Sequence, residues 1–459
     1  MGVYKTIDPA TGEESAQYAE ISDAELDDLI ARSAAAYRSW RTTELEQRRA
    51  VLLRAAELHR EQADELARLL TLEMGKPIAQ AKGEVALVAS IYQYYAENAE
   101  EFMADEPLKF QGSGTAVVRT EPIGPLVGVM PWNYPYYQVA RFAAPNIALG
   151  NTIILKHARN CPQSALAIQR ILDEAGLPAG VYSNAFISSA QVAAAIADPR
   201  VQGVSLTGSE TAGAAVGAVA GRHMKKSVLE LGGSDPFIVL EDADIDAAAA
   251  AAAVGRLANA GQACTASKRF LVEDGVYDAF VEKFVAGMAG WELGDPTSPE
   301  TKLGPMASTA GVEELDELVQ DAISHGATVL LGGTRPDSPG AYYPATVLAG
   351  VTCEMRAFSE ELFGPVAVVY RVNSLDEAID LANDSPFGLS SSVFTTDQQK
   401  ADRVSAELET GMVWVNSTSK SSPDLPFGGT KASGIGRELA NYGFNEFSNK
   451  KLVRNPKGQ

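Results

Sequence analysis

Through residues 22–105 the apolar positions recur at helical spacing. In the clearest stretch, 44–73, Leu52, Ala56, Ala63, Leu66 and Leu70 fall on one helical face, which predicts a single helix closed by Gly75 and Pro77. After Gln111-Gly-Ser-Gly114 the pattern changes to short β-branched runs at 126–130, 152–155, 181–187, 202–206 and 227–230. Helical segments near 135–148, 164–175, 189–197 and 210–221 lie between them. Strands alternating with helices predict an α/β fold with a parallel, doubly wound sheet covered by helices.

A second series of strands is predicted at 236–240, 268–272, 328–331, 366–372, 390–394 and 411–416, again with helices between, and implies a second α/β domain. The alanine run at 247–253 reads as a buried helix, because alanine has the best helix propensity and permits close packing. Two pieces remain, 108–120 and 446–454, polar and strand-like at 117–119 and 451–454. Such strands either pair with another subunit or form a plain surface hairpin.

Composition narrows the function. The chain of 459 residues carries 59 acidic against 38 basic side chains, a formal charge of −21 that repels nucleic acid and anionic membrane. With 46% hydrophobic and 21% charged residues it has the composition of a globular protein. No run approaches the roughly 20 apolar residues of a membrane span, and the N-terminus lacks the apolar core of a signal peptide, so a cytoplasmic protein is expected. Met1 to Thr6 fits a loose myristoylation pattern, but no polybasic patch follows as a second anchor. Three scattered cysteines, Cys161, Cys264 and Cys353, make no disulfide framework, and neither CxxC nor HExxH offers a metal site.

The chemistry therefore rests on single residues. Cys264, in Asn259-Ala-Gly-Gln-Ala-Cys264, sits between a helix and a strand where Gly261 allows a tight turn, a plausible nucleophile position, although a lone cysteine is also often just a small buried residue. Glu230 ends an apolar strand before two glycines, where a carboxylate faces the crevice of an open sheet and partial desolvation suits it to general-base work. Asn133 follows the first sheet strand, and its amide is a neutral oxyanion donor or else a turn residue. Lys156 ends the next strand, within reach of ribose hydroxyls. The GxGxxG fingerprint is absent. Thr207-Gly-Ser209 opens a helix that can still hold a phosphate, and Gly428-Gly-Thr-Lys431 has the wrong order for a P-loop.

Together Pro131-Trp-Asn133, Leu155-Lys156, Thr207-Gly-Ser209, Glu230-Leu-Gly-Gly233, Gly261-Gln-Ala-Cys264, Glu361-Leu-Phe-Gly-Pro365 and Leu425-Pro-Phe-Gly-Gly429 resemble the aldehyde dehydrogenase superfamily over the whole chain. The resemblance implies a Rossmann-like cofactor domain (1–105 and 123–233), a catalytic domain (234–428), a return segment (429–443) and oligomerisation strands (106–122 and 444–456) of a homodimer or homotetramer. It implies that Cys264 attacks an aldehyde, that Asn133 and the Cys264 N–H hold the oxyanion, and that Glu230 activates the water that hydrolyses the thioester. Cofactor contacts are implied for Trp132, Asn133, Lys156, His157, Ala158, Arg159, Gly208, Ser209, Leu231, Glu361 and Phe363. NAD-preferring members usually carry Glu where Arg159 stands, and a cation there favours the 2′-phosphate of NADP, with NAD as the lesser cofactor. Arg141 and Ser421 resemble the positions that hold the distal carboxylate in succinate-semialdehyde dehydrogenases, although Ser421-Ser-Pro-Asp424 departs from the usual loop and Arg141 also suits a structural ion pair. A general short-chain aldehyde dehydrogenase, a coenzyme A-acylating relative and a non-catalytic protein of the same fold are the alternatives. The retained Cys264, Glu230 and Asn133 argue against the last two.

Overall fold

The computed structural model describes residues 2–456; Met1, where the acyl-signal pattern begins, lies outside them. The α/β expectation holds. Helices Asp23–Trp40, Leu45–Glu61, Ala63–Met74 and Ile78–Met103 fill the first quarter of the chain. The predicted single helix over 44–73 is two, broken at Gln62, whose side chain instead bonds Arg170 and Glu174 on the neighbouring helix. The second does end at Gly75, in the left-handed conformation with φ 75°.

A six-stranded sheet follows, in the order Gly434–Ile435, Lys226–Glu230, Gly203–Thr207, Pro125–Val129, Thr152–Lys156 and Tyr182–Asn184. Its strands are parallel apart from the short Gly434–Ile435. The chain steps outward from Pro125–Val129 to Tyr182–Asn184, then returns to lay Gly203–Thr207 on the other side of Pro125–Val129. That reversal opens a crevice beyond the strand ends, where ligands bind in open α/β sheets. Trp132 and Asn133 leave one of the flanking strands, Gly208 and Ser209 the other.

The second sheet has seven strands, ordered Thr328–Leu331, Thr346–Ala349, Val366–Val372, Ser267–Glu273, Asp235–Val239, Ser390–Phe394 and Met412–Val415, parallel except at Thr328–Leu331. The alanine run lies in the helix Ile245–Leu257, with Ala248, Ala249, Ala252 and Ala253 buried. The two polar pieces pair with each other: Thr115–Pro122 and Ser448–Asn455 run antiparallel from Ser448↔Pro122 to Asn455↔Thr115, with Glu106–Pro107 beyond. Among the described residues no helix is long and apolar enough to cross a membrane, and no cluster of His, Cys, Asp or Glu could hold a metal ion.

The segment after Gly428 carries the chain from the second sheet back to the first. Gly434, at φ 132°, lies so close to Glu230's strand that a Cβ would stand 1.8 Å from the Leu229 carbonyl oxygen, so only glycine fits. This passage brings Glu438 beneath the crevice.

Candidate active site

A cavity of about 240 Å3 at the crevice is lined by Trp132, Asn133, Gly208, Ser209, Leu231, Cys264, Glu361 and Phe363, residues drawn from both sheets. The rings of Trp132 and Phe363 meet edge to face, with centroids 5.6 Å apart.

The loop that presents Cys264 is shaped by its backbone. Asn259, Ala260 and Gly261 are all left-handed, at φ 56°, 52° and 70°, an arrangement costly for the first two and held only by surrounding contacts. Asn259 Nδ2 donates to the carbonyls of Asn133 (3.0 Å) and Gln262 (3.1 Å), and the buried Arg256 guanidinium donates to those of Gly261 (2.6 Å) and Ser267 (3.2 Å). Gly261 abuts Gly364, where a Cβ would come within 2.2 Å of the carbonyl oxygen.

Asn133 is fixed from two sides. Its Nδ2 donates to the Gln262 carbonyl at 3.0 Å and its Oδ1 accepts from Gln138 Nε2 at 3.0 Å, which leaves one amide hydrogen for the cavity. Beneath its loop lies a buried Lys76–Glu84 ion pair. Lys76 donates to the Asn133 carbonyl at 3.0 Å, and Glu84 accepts from the N–H groups of Tyr136 (2.9 Å) and Tyr137 (3.1 Å). Neither residue was singled out in the sequence. Glu84, a lone acid on the largely apolar face of Ile78–Met103, was the available signal.

Burial pushes the Cys264 thiol up to about 12, against the pull of the Arg141 and Lys268 cations, so the resting side chain is a thiol. No histidine stands ready as its base. His157 has Nε2 on the Pro135 carbonyl (2.9 Å) and Nδ1 on the Ala158 N–H (2.8 Å). With its ring thus committed, His157 braces the turn after Lys156, and Ala158 is buried beside it.

Glu230 is buried, and among the described residues both its carboxylate oxygens lack a hydrogen-bond partner. Desolvation holds its carboxyl well above the usual range, Arg141 opposing and Glu438 adding to the rise. It packs towards Gly428 rather than lining the cavity.

Arg141 forms the structural ion pair that its position also allowed. The helix Tyr137–Leu149 begins only at Tyr137, so Arg141 lies one turn in, and its charge is answered by an ion pair with Glu438. Nη1 donates to Tyr137 Oη (3.3 Å) and Nη2 to Thr207 Oγ1 (3.2 Å), while the guanidinium lies over the rings of Tyr137 and Phe427. Tyr137 Oη donates onward to Ser421 Oγ at 2.8 Å, so the two predicted substrate residues are joined through a tyrosine.

At the far end of the crevice an apolar slot of about 260 Å3, lined by residues including Val129, Val192, Leu206 and Val216, has Lys156 at its rim. Burial and nearby Arg159 lower the lysine to about 8. Arg159 pairs with Glu20, donates to the Val3 carbonyl and lies over the Tyr4 ring. An apolar slot with Lys156 at its rim and Arg159 near that lysine, together with the Ser209 cap of helix Glu210–Arg222 at the cysteine cavity, suits a phosphorylated dinucleotide.

Known proteins bear on this arrangement. The model of the aldehyde dehydrogenase family matches residues 2–453. The chain is 53% identical to a succinate-semialdehyde dehydrogenase [NADP(+)] of Deinococcus radiodurans, over 98% of this chain and 94% of that one. To succinate-semialdehyde dehydrogenase [NADP(+)] 1 of Mycobacterium tuberculosis it is 46% identical over 98% of both. The crystal structure of succinic semialdehyde dehydrogenase from Streptococcus pyogenes in complex with NADP+ superimposes with a TM-score of 0.97 at 43% identity, covering 99% of this chain and all of that one. With a family match along nearly its whole length and a cysteine, an amide and a carboxyl gathered at one crevice, the chain belongs to the aldehyde dehydrogenase family.

Proposed function

We propose that the protein oxidises succinate semialdehyde to succinate with NADP, a cytoplasmic reaction in which one water is consumed, NADP is reduced to NADPH and two protons are released. The observation that carries it is the meeting of Cys264 with two hydrogen-bond donors, the spare Asn133 amide hydrogen and the Cys264 N–H, in a cavity lined by residues from the ends of both sheets. The Cys264 sulfur adds to the aldehyde carbon and the donors hold the oxyanion. NADP supplies the hydride acceptor. Glu230 takes a proton from the water that releases the acid, and Glu361 lies on the cofactor side of the cavity. Assays of NADP reduction across short aldehydes with and without a terminal carboxylate test this: preference for butanal over succinate semialdehyde contradicts it.

The Arg141–Tyr137–Ser421 row is the anchor for the distal carboxylate. Arg141→Ala is expected to raise KM for succinate semialdehyde by orders of magnitude and to leave butanal nearly unchanged. It also strands Glu438, at about 3–5 kcal/mol of stability, visible as a lower Tm. The double change Arg141→Ala, Glu438→Ala should recover Tm without recovering the carboxylate preference. Equal slowing of both aldehydes makes Arg141 structural.

Cofactor choice rests on Arg159, held by Glu20 beside Lys156. Arg159→Glu should reverse the NADP preference through loss of a charge-assisted contact worth on the order of 1–3 kcal/mol. Equal kcat/KM for NADP and NAD in the parent counts against this assignment.

The two α/β sheets serve as cofactor and catalytic halves, and the three-stranded sheet as the oligomerisation element of a homodimer or homotetramer. Its outermost strand, Ser448–Asn455, shows solvent an open edge and Leu452 at 62% exposure, an arrangement that invites strand pairing. Sedimentation at the mass of a single chain overturns this part.

A further inference from the structure

Lys268 is 1% exposed and four residues beyond the nucleophile, at the start of the strand Ser267–Glu273. Its ammonium donates to the carbonyls of Ala263 (3.2 Å), Cys264 (3.0 Å) and Ala266 (3.3 Å) and pairs with Glu361 at 2.9 Å. Glu361 also accepts from the Gly233 N–H at 3.1 Å. The carbonyls of three residues around Cys264 thus converge on one buried cation.

A trans peptide is planar, with its N–H directed opposite its C=O. Anchoring the Ala263 carbonyl on Lys268 therefore turns the N–H of the same peptide, that of Cys264, away from Lys268. Among the described residues that N–H donates to no backbone or side-chain acceptor, although the carbonyls around it are bonded. An amide held in place yet left without a partner is a preorganised donor. Gly233 lies against the next peptide, where a Cβ would stand 2.6 Å from the Cys264 carbonyl oxygen, so only glycine fits there.

We propose that Lys268 is a positioning residue that aims the Cys264 N–H at the developing oxyanion, and that its pairing with Glu361 ties this alignment to the cofactor side of the cavity. The inference rests on the acyl-transfer reading of Cys264. It assigns Lys268 no contact with substrate.

Two reactions of the cofactor-free enzyme separate aim from mere integrity. Acylation of Cys264 by 4-nitrophenyl acetate passes through an oxyanion, whereas alkylation by iodoacetamide displaces iodide and develops none. Both need the thiolate, so their rate ratio cancels any change in thiol ionisation. In Lys268→Met the ratio of acylation to alkylation should fall on the order of 10²-fold, the loss typical of an oxyanion donor. Lys268→Gln, whose amide can keep part of the carbonyl grip, should show a smaller fall and supplies the same ratio where the methionine variant does not fold. A ratio within threefold of the parent in either folded variant overturns the role of Lys268. A parent in which neither reagent modifies Cys264 and no aldehyde is oxidised overturns the acyl-transfer reading itself.

Discussion

Cys264→Ala is expected to lower aldehyde oxidation on the order of 10⁴-fold or more, while Cys161→Ala and Cys353→Ala keep most of it. Only Cys264 lines the cavity, and only it stands among the Asn133 amide, its own unpartnered N–H and the pull of two cations. Cys161 is buried at the start of the helix Pro162–Glu174, its thiol held well above its usual value by burial, and Cys353 is exposed in a loop. The thiol of Cys264 is also raised, to about 12, so turnover requires that substrate or cofactor binding favour the thiolate. The parent is therefore expected to be alkylated faster with NADP bound than without it. Full activity in the Cys264 variant removes the covalent mechanism.

Glu230→Gln separates the two halves of the reaction. Hydride leaves before water attacks, so the variant should form one equivalent of NADPH per active site and then stall, with steady-state turnover down by about 10²–10⁴-fold. Burial holds the carboxyl of Glu230 well above the usual range. Only its ionised form accepts the water's proton, so the parent's deacylation rate should climb with rising pH and level off above the raised pKa. The glutamine variant should lose that climb. Because glutamine is nearly isosteric and adds no charge to this buried position, folding should be little affected. Loss of the burst together with steady turnover would falsify the assignment of Glu230 to deacylation.

The parts of this site legible in the sequence are those set by local rules. Strand ends marked Lys156, and strand ends followed by glycine or proline marked Asn133, Gly208 and Glu230; the structure brings the ends of these strands to one crevice. Arg141 was legible as a cation but its partner was not, because Glu438 arrives on the return segment, far along the chain, through a glycine passage that periodicity does not reveal. Lys268 reads as an ordinary residue at the start of a strand; its role follows from carbonyls that converge only when the loop folds back. Among the elements, Thr346–Ala349 escaped prediction because it is four residues long and follows a stretch rich in glycine and proline, yet it lies inside the seven-stranded sheet. The hairpin of Val3–Ile7 with Glu14–Ala19 was hidden for another reason. Its inward position Thr6 is polar and bonds Glu73 at 2.7 Å, so the alternation that marks a half-buried strand is broken. The break at Gln62 carries no glycine or proline, and the apolar face runs on through it.

The most direct test is the mass of the stalled intermediate. Glu230→Gln mixed with succinate semialdehyde and NADP, quenched in acid and digested, should show one succinyl group added to the peptide that contains Cys264 and none on those with Cys161 or Cys353. The same treatment without NADP should leave no acid-stable succinyl adduct, since the aldehyde adduct reverses before oxidation. A succinyl group on another residue, or full NADPH formation with Cys264 unmodified throughout, contradicts the account.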